Sequence, residues 1–372
     1  MNDLMSTCKV CFSDQIESLL IAENQSITSD GKIVKGNSYK SQCLGCGLLF
    51  NPNNVVLENY RRSSGDSPFD ELRHSNIAKG VYEIICRECD DYSELKVLEV
   101  GAGNFQTSLN LSALDKNIIT WAIEPSPEVS TLPKEVNCFQ GHIEEFDAPY
   151  KFDFIFSNHV IEHTTKPLEF VKEIDGLLSL SGLVLFCCPS QTKISTETLF
   201  IDHLYHFSEE SFKHLIRQSG FILTSAFVAP WDKLTHCYVI KRKGVSCSAI
   251  NMMSPVEALD SRKEFVKKFR ELDAELSKKV QPILGPIYLF GAGEFSQIIE
   301  CYAPKFFQSV KSIIVTTKKG HRFFDKDILM LDQVMPNDGF IVLGVREEIQ
   351  ASVAELLISI GWHEEKIVTI FS

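Results

Sequence analysis

The 372-residue chain has no apolar run long enough to cross a bilayer. Its opening residues, MNDLMSTCKVC, lack the basic-then-apolar layout of a secretory signal. A cytoplasmic location without a membrane is therefore expected. Basic charge is in deficit: 37 lysines and arginines face 49 acidic residues, for a net charge of −12. That balance disfavours a surface built to hold a phosphate backbone, and no nucleic-acid partner is expected. The composition, 44% hydrophobic and 23% charged, is that of a globular protein. The length exceeds one ordinary core and predicts two or three domains.

Cysteine, by contrast, is plentiful, with twelve residues. In a reducing compartment these read as thiols or metal ligands rather than disulfides. Cys8 and Cys11 form one CxxC pair, and Cys43 and Cys46 a second. Each pair offers two thiolates from one tight turn, and two facing turns complete a tetrahedron of sulfur around zinc. Gly45 and Gly47 supply the freedom such a turn needs. Four unrelated thiols would instead leave a polar segment of about fifty residues with little core of its own. Cys86 and Cys89 differ, because they lie in IAKGVYEIICRECDDY, where Ile77, Val81, Ile84, Ile85 and Cys89 recur at helical spacing. Core packing is the expectation there.

Leu95 to Leu114, LKVLEVGAGNFQTSLNLSAL, reads as a buried strand, a tight turn at Gly101-Ala102-Gly103 and a helix. Glycines at that turn let a ligand approach the backbone beside a helix N-terminus. A second strand, in ITWAIEPSP, ends at Glu124, where a carboxylate can accept both hydroxyls of a ribose. A dinucleotide fold would want a third glycine where Gln106 stands, and Glu99, just before the turn, suits a cationic ligand better than a pyrophosphate.

The segments VLEVGAGNF, AIEPS, GHIEEF, FDFIFSNHVIEH and GLVLFCCPS stand in the order and spacing of class I S-adenosylmethionine (SAM)-dependent methyltransferases, and about 150 residues resemble that family. The resemblance implies that Gly101, Ala102 and Gly103 wrap the methionine and ribose of SAM, and that Glu124, followed by Pro125, holds the ribose. It implies that His142 and Ile143 flank the adenine, and that Asn158 and His159 line the methyl-donor face. Phe105 departs from it, standing where many members have a further glycine. His163 is expected to position the loop beside the substrate. Pro167 opens the next helix, whose stripe of Leu168, Val171, Ile174, Leu177 and Leu178 faces inward until Ser181-Gly182. LVLFCCP then reads as a strand buried on both faces.

Phe200 to Ser208, FIDHLYHFS, gathers an aspartate and two histidines among aromatics, and Ser208 is a helix N-cap. A metal site, a structural role for His206 and a general base are the three readings open here. The chain also resembles the C-methyltransferases of deoxysugar biosynthesis. Their layout is a zinc-binding segment, a methyltransferase domain and a C-terminal α/β domain. By that resemblance Asp202 and His203 match an acidic-His pair whose histidine removes a proton beside a ketone of a nucleotide-linked sugar. Tyr60, Ser63 and Ser64 fall in the corresponding substrate segment. Asp202 replaces the usual Glu of the pair, and Phe200 a tyrosine.

Two further strands, FILTSAFVA and THCYVIKRK, close the methyltransferase sheet, and a long amphipathic helix follows with Phe265, Phe269, Leu272, Leu276 and Val280 on one side. IYLFGAGEFSQIIECYAP restarts a strand, glycine turn and helix at Gly291-Ala292-Gly293. The next strand ends in Thr316-Thr317, without a ribose-binding carboxylate. The expected architecture is α/β. Residues 1–56 are a zinc-binding module, 57–245 a Rossmann-like methyltransferase domain with a doubly wound sheet, 246–282 a linker helix, and 283–372 a second, smaller Rossmann-like domain. The expected activity is SAM-dependent methyl transfer to a small molecule, a sugar or nucleotide sugar. O-methylation of another acceptor, an NAD-binding oxidoreductase and a non-catalytic binding protein are the alternatives.

Overall fold

The computed structural model describes residues 7–52, 68–89, 92–126, 134–247, 253–281, 285–317 and 322–370. Tyr60, Ser63 and Ser64 lie outside them. The chain forms two compact units. Unit 1 comprises residues 1–19, 40–197 and 202–261; unit 2 comprises 20–39, 198–201 and 262–372.

The first strands are β1 (Ile16–Ala22), β2 (Gln25–Ile27), β3 (Ile33–Lys35), β4 (Ser38–Cys43) and β5 (Leu49–Phe50). Then come α1 (Pro68–Glu88), β6 (Leu95–Val100), α2 (Gln106–Leu114), β7 (Ile118–Glu124), β8 (Asn137–Gln140), β9 (Phe152–Asn158), α3 (Pro167–Leu177) and β10 (Leu178–Pro189). The short β11 (Tyr205–His206), α4 (Glu209–Gln218), β12 (Ile222–Val228) and β13 (Thr235–Lys241) follow. Seven of these strands make one sheet in the order β12-β13-β10-β9-β6-β7-β8. Strands β8, β7, β6, β9 and β10 run parallel, while β13 is antiparallel to both its neighbours. The sheet is buried on both faces. Leu183, Leu185 and Cys187 of β10 pack in one cluster with Ile77, Val81, Ile84 and Ile85 of α1. Val184, Phe186 and Cys188 pack in the other, with Phe170, Val171 and Ile174 of α3, Phe212, Leu215 and Ile216 of α4, and the N-terminal cysteines. Period-2 alternation explains why β10 has no polar face.

Local signals act as expected at several ends. Pro167 starts α3, and Ser208 caps α4 by accepting from Ser211 N at 3.1 Å. Cys86 of α1 is exposed, while Cys89, just past its end, lies at the core edge. Helix α3 stops at Leu177, and Leu178 already belongs to β10; Leu180, in the new strand, is 96% exposed.

Unit 2 carries the rest of α5 (Pro255–Val280), then β14 (Ile287–Phe290), α6 (Glu294–Tyr302), α7 (Pro304–Ser309), β15 (Val310–Val315), β16 (Arg322–Phe323), β17 (Lys326–Met330), β18 (Phe340–Leu343), α8 (Glu347–Ser359) and β19 (Ile367–Val368). Its sheet runs β16-β17-β15-β14-β18-β19, parallel except for the β16–β17 hairpin. Four of these strands follow the apolar patterning; two, β16 and β17, are not announced by it. Val266, Phe269, Leu272, Leu276 and Val280 of α5 are buried, and Phe265 only partly so.

Phe105 sits at φ 63, in the left-handed region that favours glycine, and its ring is fully buried with Ala102, Ala122 and Val136. Two effects oppose each other at this position. Glycine would relieve about 1 kcal/mol of backbone strain, and loss of a buried phenyl costs about 3–5 kcal/mol. Phe105→Gly is therefore expected to destabilise unit 1 by about 2–4 kcal/mol, read as a lower denaturation midpoint. An unchanged or higher midpoint would mean that strain outweighs packing.

Candidate active site

The order of the seven-stranded sheet reverses between β6 and β9, and in such sheets ligands bind outside the carboxyl ends of the strands at that point. Gly101 and Gly103 lie just past β6, at φ 81 and 57. A Cβ on Gly101 would stand 2.2 Å from Val160 Cγ2, so only glycine fits. A Cβ on Gly103 would meet nothing within 4 Å, and the backbone is open to a ligand. Glu124, at the end of β7, accepts from Gly103 N at 2.8 Å and from Ser126 N at 2.9 Å. Its carboxylate is thus held beside the cradle by main-chain donors. Ala102 is buried beneath it, and Pro125 is exposed. Asn158, ending β9, has a buried Oδ1 with no hydrogen-bond partner among the described residues, an acceptor left for a ligand. His142 is exposed at the turn after β8, and Ile143 is buried in the core.

Glu99 is placed differently from its expected role. It is buried and accepts from the Ser108 hydroxyl of α2, and burial pushes its carboxyl up to about 8.

A cluster of histidines and acids follows β9. His159 takes a left-handed backbone, φ 56, and its ring is held at both ends: Nδ1 lies 3.1 Å from Glu162 Oε1, and Nε2 2.9 Å from Thr235 Oγ1. Thr235 in turn donates to Asp232 at 2.9 Å. Burial would raise the Glu162 carboxyl, but its bond to His159 and the charges of His159, His163 and His203 hold it down at about 2. His163 Nδ1 bonds the Asp202 main-chain oxygen at 3.0 Å, with the Asp202 carboxylate at 3.6 Å. The His163 ring stands edge-on to His203, with centroids 4.7 Å apart.

His203 is 4% exposed, and its Nδ1 lies 2.9 Å from Glu197 Oε2. Burial alone would lower its pKa; the charge and bond of Glu197 raise it above the ordinary value. The reciprocal holds for Glu197, which burial would raise and His203 lowers. The carboxylate at the ring of His203 is therefore Glu197, while the adjacent Asp202 faces His163. Glu162 and Glu197 are functional candidates that sequence reading passed over. Glu162 stands inside the quoted segment HVIEH, whereas Glu197 carries no local signal. His206 is buried, and its Nε2 meets the ammonium of Lys40.

A cavity of about 270 Å³ opens beside this cluster, lined among others by Arg73 and Asn76 of α1, Asn158, His159, Trp231 and Asp232. It is mixed in character, with both charge signs, two amides and one large aromatic.

The four N-terminal cysteines converge as their spacing implied. Cys8 Sγ is 3.8 Å from Cys46 Sγ, Cys11 Sγ is 3.4 Å from Cys43 Sγ, and all four sulfurs lie within 4.8 Å of one another. Sulfurs bound about 2.3 Å from a central zinc in a tetrahedron stand about 3.8 Å apart, so the donor set fits that ion. Sulfur–sulfur hydrogen bonding within the cluster raises the Cys8 thiol, whereas Cys46 and Cys8 hold Cys43 below the usual thiol range.

Residues 69–226 match the family described as a methyltransferase domain. A ubiquinone biosynthesis O-methyltransferase of Rickettsia felis is 29% identical over 136 residues, which span 34% of this chain and 56% of that protein. The chain thus spans little more than half the length of that relative. Among solved structures, a Burkholderia thailandensis 1,6-didemethyltoxoflavin-N1-methyltransferase is 16% identical, with a TM-score of 0.37, over 47% of this chain and 80% of that one. The mitomycin 7-O-methyltransferase MmcR is 14% identical, with a TM-score of 0.38, over 47% and 54%. Residues 69–226, with their largely parallel sheet and a glycine turn at its switch point, thus carry a methyltransferase domain.

Proposed function

We propose that this chain transfers a methyl group from SAM to a sugar or nucleotide-linked sugar, with His203 as the general base. The observation that carries the reading is the buried Glu197–His203 pair beside His163, next to the carboxyl end of β9. A carboxylate 2.9 Å from Nδ1 favours the proton on that nitrogen, which leaves Nε2 as the basic one. In the proposal Gly101, Ala102 and Gly103 receive the methionine and ribose, Glu124 the ribose hydroxyls, and Asn158 and His159 the donor face; His142 and Ile143 flank the adenine. SAM supplies an electrophilic methyl group that needs little activation. The protein's work is alignment and removal of one acceptor proton. His203 Nε2 takes that proton from carbon beside a ketone as the methyl–carbon bond forms. Glu197 stabilises the imidazolium, and His163 and Asp202 hold the loop.

The cavity supports a polar acceptor, because Trp231 offers a flat face to a ring and Arg73 a charge to a phosphate. A second reading is O-methylation, favoured by the O-methyltransferase relative, in which the same nitrogen takes a hydroxyl proton. The cysteine cluster is proposed to hold a structural zinc within residues 1–56. Unit 2 is proposed to be scaffold or to contact the nucleotide of the acceptor.

Methyl transfer from labelled SAM to a panel of nucleotide sugars should occur and should be lost in His203→Ala with SAM affinity intact. Full activity in that variant would remove the base. By calorimetry, Gly101→Ala is expected to weaken SAM binding roughly tenfold or more, about 1.4 kcal/mol, and unchanged affinity would remove the cradle.

The base must be neutral to act, so the rate should climb as pH rises through the raised pKa of His203, above about 6.5. Glu197→Gln leaves burial unopposed by its largest partner and should move that limb to lower pH; a limb that stays in place would sink the pairing. Linkage adds a stability window. His203, raised on folding, stabilises at low pH and loses that contribution as pH rises through its folded pKa. Glu197, depressed on folding, stabilises above about pH 4.5 and loses it on acidification. The pair should contribute most between about pH 5 and 6.5, read from denaturation midpoints across pH.

Metal analysis of the purified chain should find about one equivalent of zinc, absent from Cys43→Ser.

A further inference from the structure

We propose that Lys40 is a positioning residue for His203, acting from the sheet that also carries two of the clustered cysteines. Lys40 lies on β4, which ends at Cys43, and it is fully buried. Its ammonium donates to the main-chain oxygen of His203 at 3.2 Å and meets Nε2 of His206. A buried ammonium is costly unless hydrogen-bonded, and an apolar side chain of similar length would fill the same space without that cost. What the lysine adds is direction: a donor that pins the peptide bearing His203.

The surroundings make that pin effective. The loop that carries Asp202 and His203 runs directly into β11, an added strand of the cysteine-bearing sheet. In β11, Tyr205 pairs with Phe50 and His206 with Leu49 of β5. Asn51 N bonds Leu204 O at 2.8 Å, and Leu204 N bonds Glu162 O at 2.7 Å. Ser208, past the loop, donates to the Cys46 carbonyl at 2.8 Å. The main chain is thus tied after His203 at Leu204, Tyr205 and His206, and before it at the Asp202 oxygen, which His163 Nδ1 meets at 3.0 Å; Lys40 ties the oxygen of His203 itself. On that fixed peptide the imidazole stands toward Glu197 and edge-on to His163, and a shift of the peptide would carry the ring away from both. Glu197, Glu162, Asp202, His163 and His206 are the titratable groups facing the ring, and Lys40 reaches it through the peptide and His206.

The catalytic consequence rests on the reading of His203 as base; the positioning itself does not, and the experiment separates them. The full chain is labelled with ¹⁵N-histidine and saturated with S-adenosylhomocysteine. Ring signals are assigned with His203→Gln and His206→Gln. In Lys40→Met, the His203 ring nitrogens are expected to shift and broaden as the fixed tautomer is lost, while S-adenosylhomocysteine affinity stays within about twofold. Ring signals superimposable on the parent's would overturn the proposal. If Lys40→Met does not fold, ¹⁵N-lysine labelling of the parent chain decides. Exchange-protected ammonium protons with cross-peaks to the His206 ring support the proposal, and their absence overturns it. With labelled SAM and the nucleotide-sugar panel, Lys40→Met should lose roughly ten- to a hundredfold in kcat with KM for SAM unchanged, and the Lys40→Met/His203→Gln double variant should be no slower than His203→Gln alone. Additive losses would make Lys40 merely structural. Activity retained in His203→Gln would remove the base and leave the ring measurement to judge the positioning alone.

Discussion

The arrangement around the candidate site depends on keeping charge buried. His203 and Glu197 stand 2.9 Å apart with little access to solvent, and neither would remain ionised there alone. Each shifts the other's protonation in the opposite direction from burial, and so the pair persists where single groups would neutralise. The same logic extends outward. Glu162 is ionised because His159, His163 and His203 surround it, and the His159 ring is held between Glu162 and Thr235. Glu99 shows the opposite case: burial, its largest cause, raises its carboxyl to about 8.

The backbone bends to serve these contacts. Gly101 is excluded from carrying a side chain by Val160, and Gly103 is left open. His159 accepts a left-handed conformation that places its ring between two partners far apart in sequence. Phe105 accepts the same conformation, and its buried ring offsets the strain. Two of the left-handed non-glycine residues, Phe105 and His159, thus stand at the switch point of the sheet, past the carboxyl ends of β6 and β9.

Much of this could be read from the chain alone. The CxxC pairs, the strand-turn-helix at Gly101, the carboxylate at Glu124, the cap at Ser208 and the apolar strand from Leu183 are local patterns, and local geometry realises them. Strand β17 was missed because its alternation is short and half-exposed. Glu197 and Lys40 were missed because nothing near them in sequence marks them.

What the sequence by itself determined is therefore what depends on neighbours along the chain: element types, the glycine turn, the paired thiols. The tertiary structure decided which carboxylate meets His203. Asp202 is adjacent and looked like the partner, yet it lies in the turn before His203 and its carboxylate faces His163. Glu197 reaches the ring because the chain folds back, and Lys40 reaches the loop because β11 joins the sheet of β4 and β5. Those distances are properties of the packed sheet, and no local spacing encodes them.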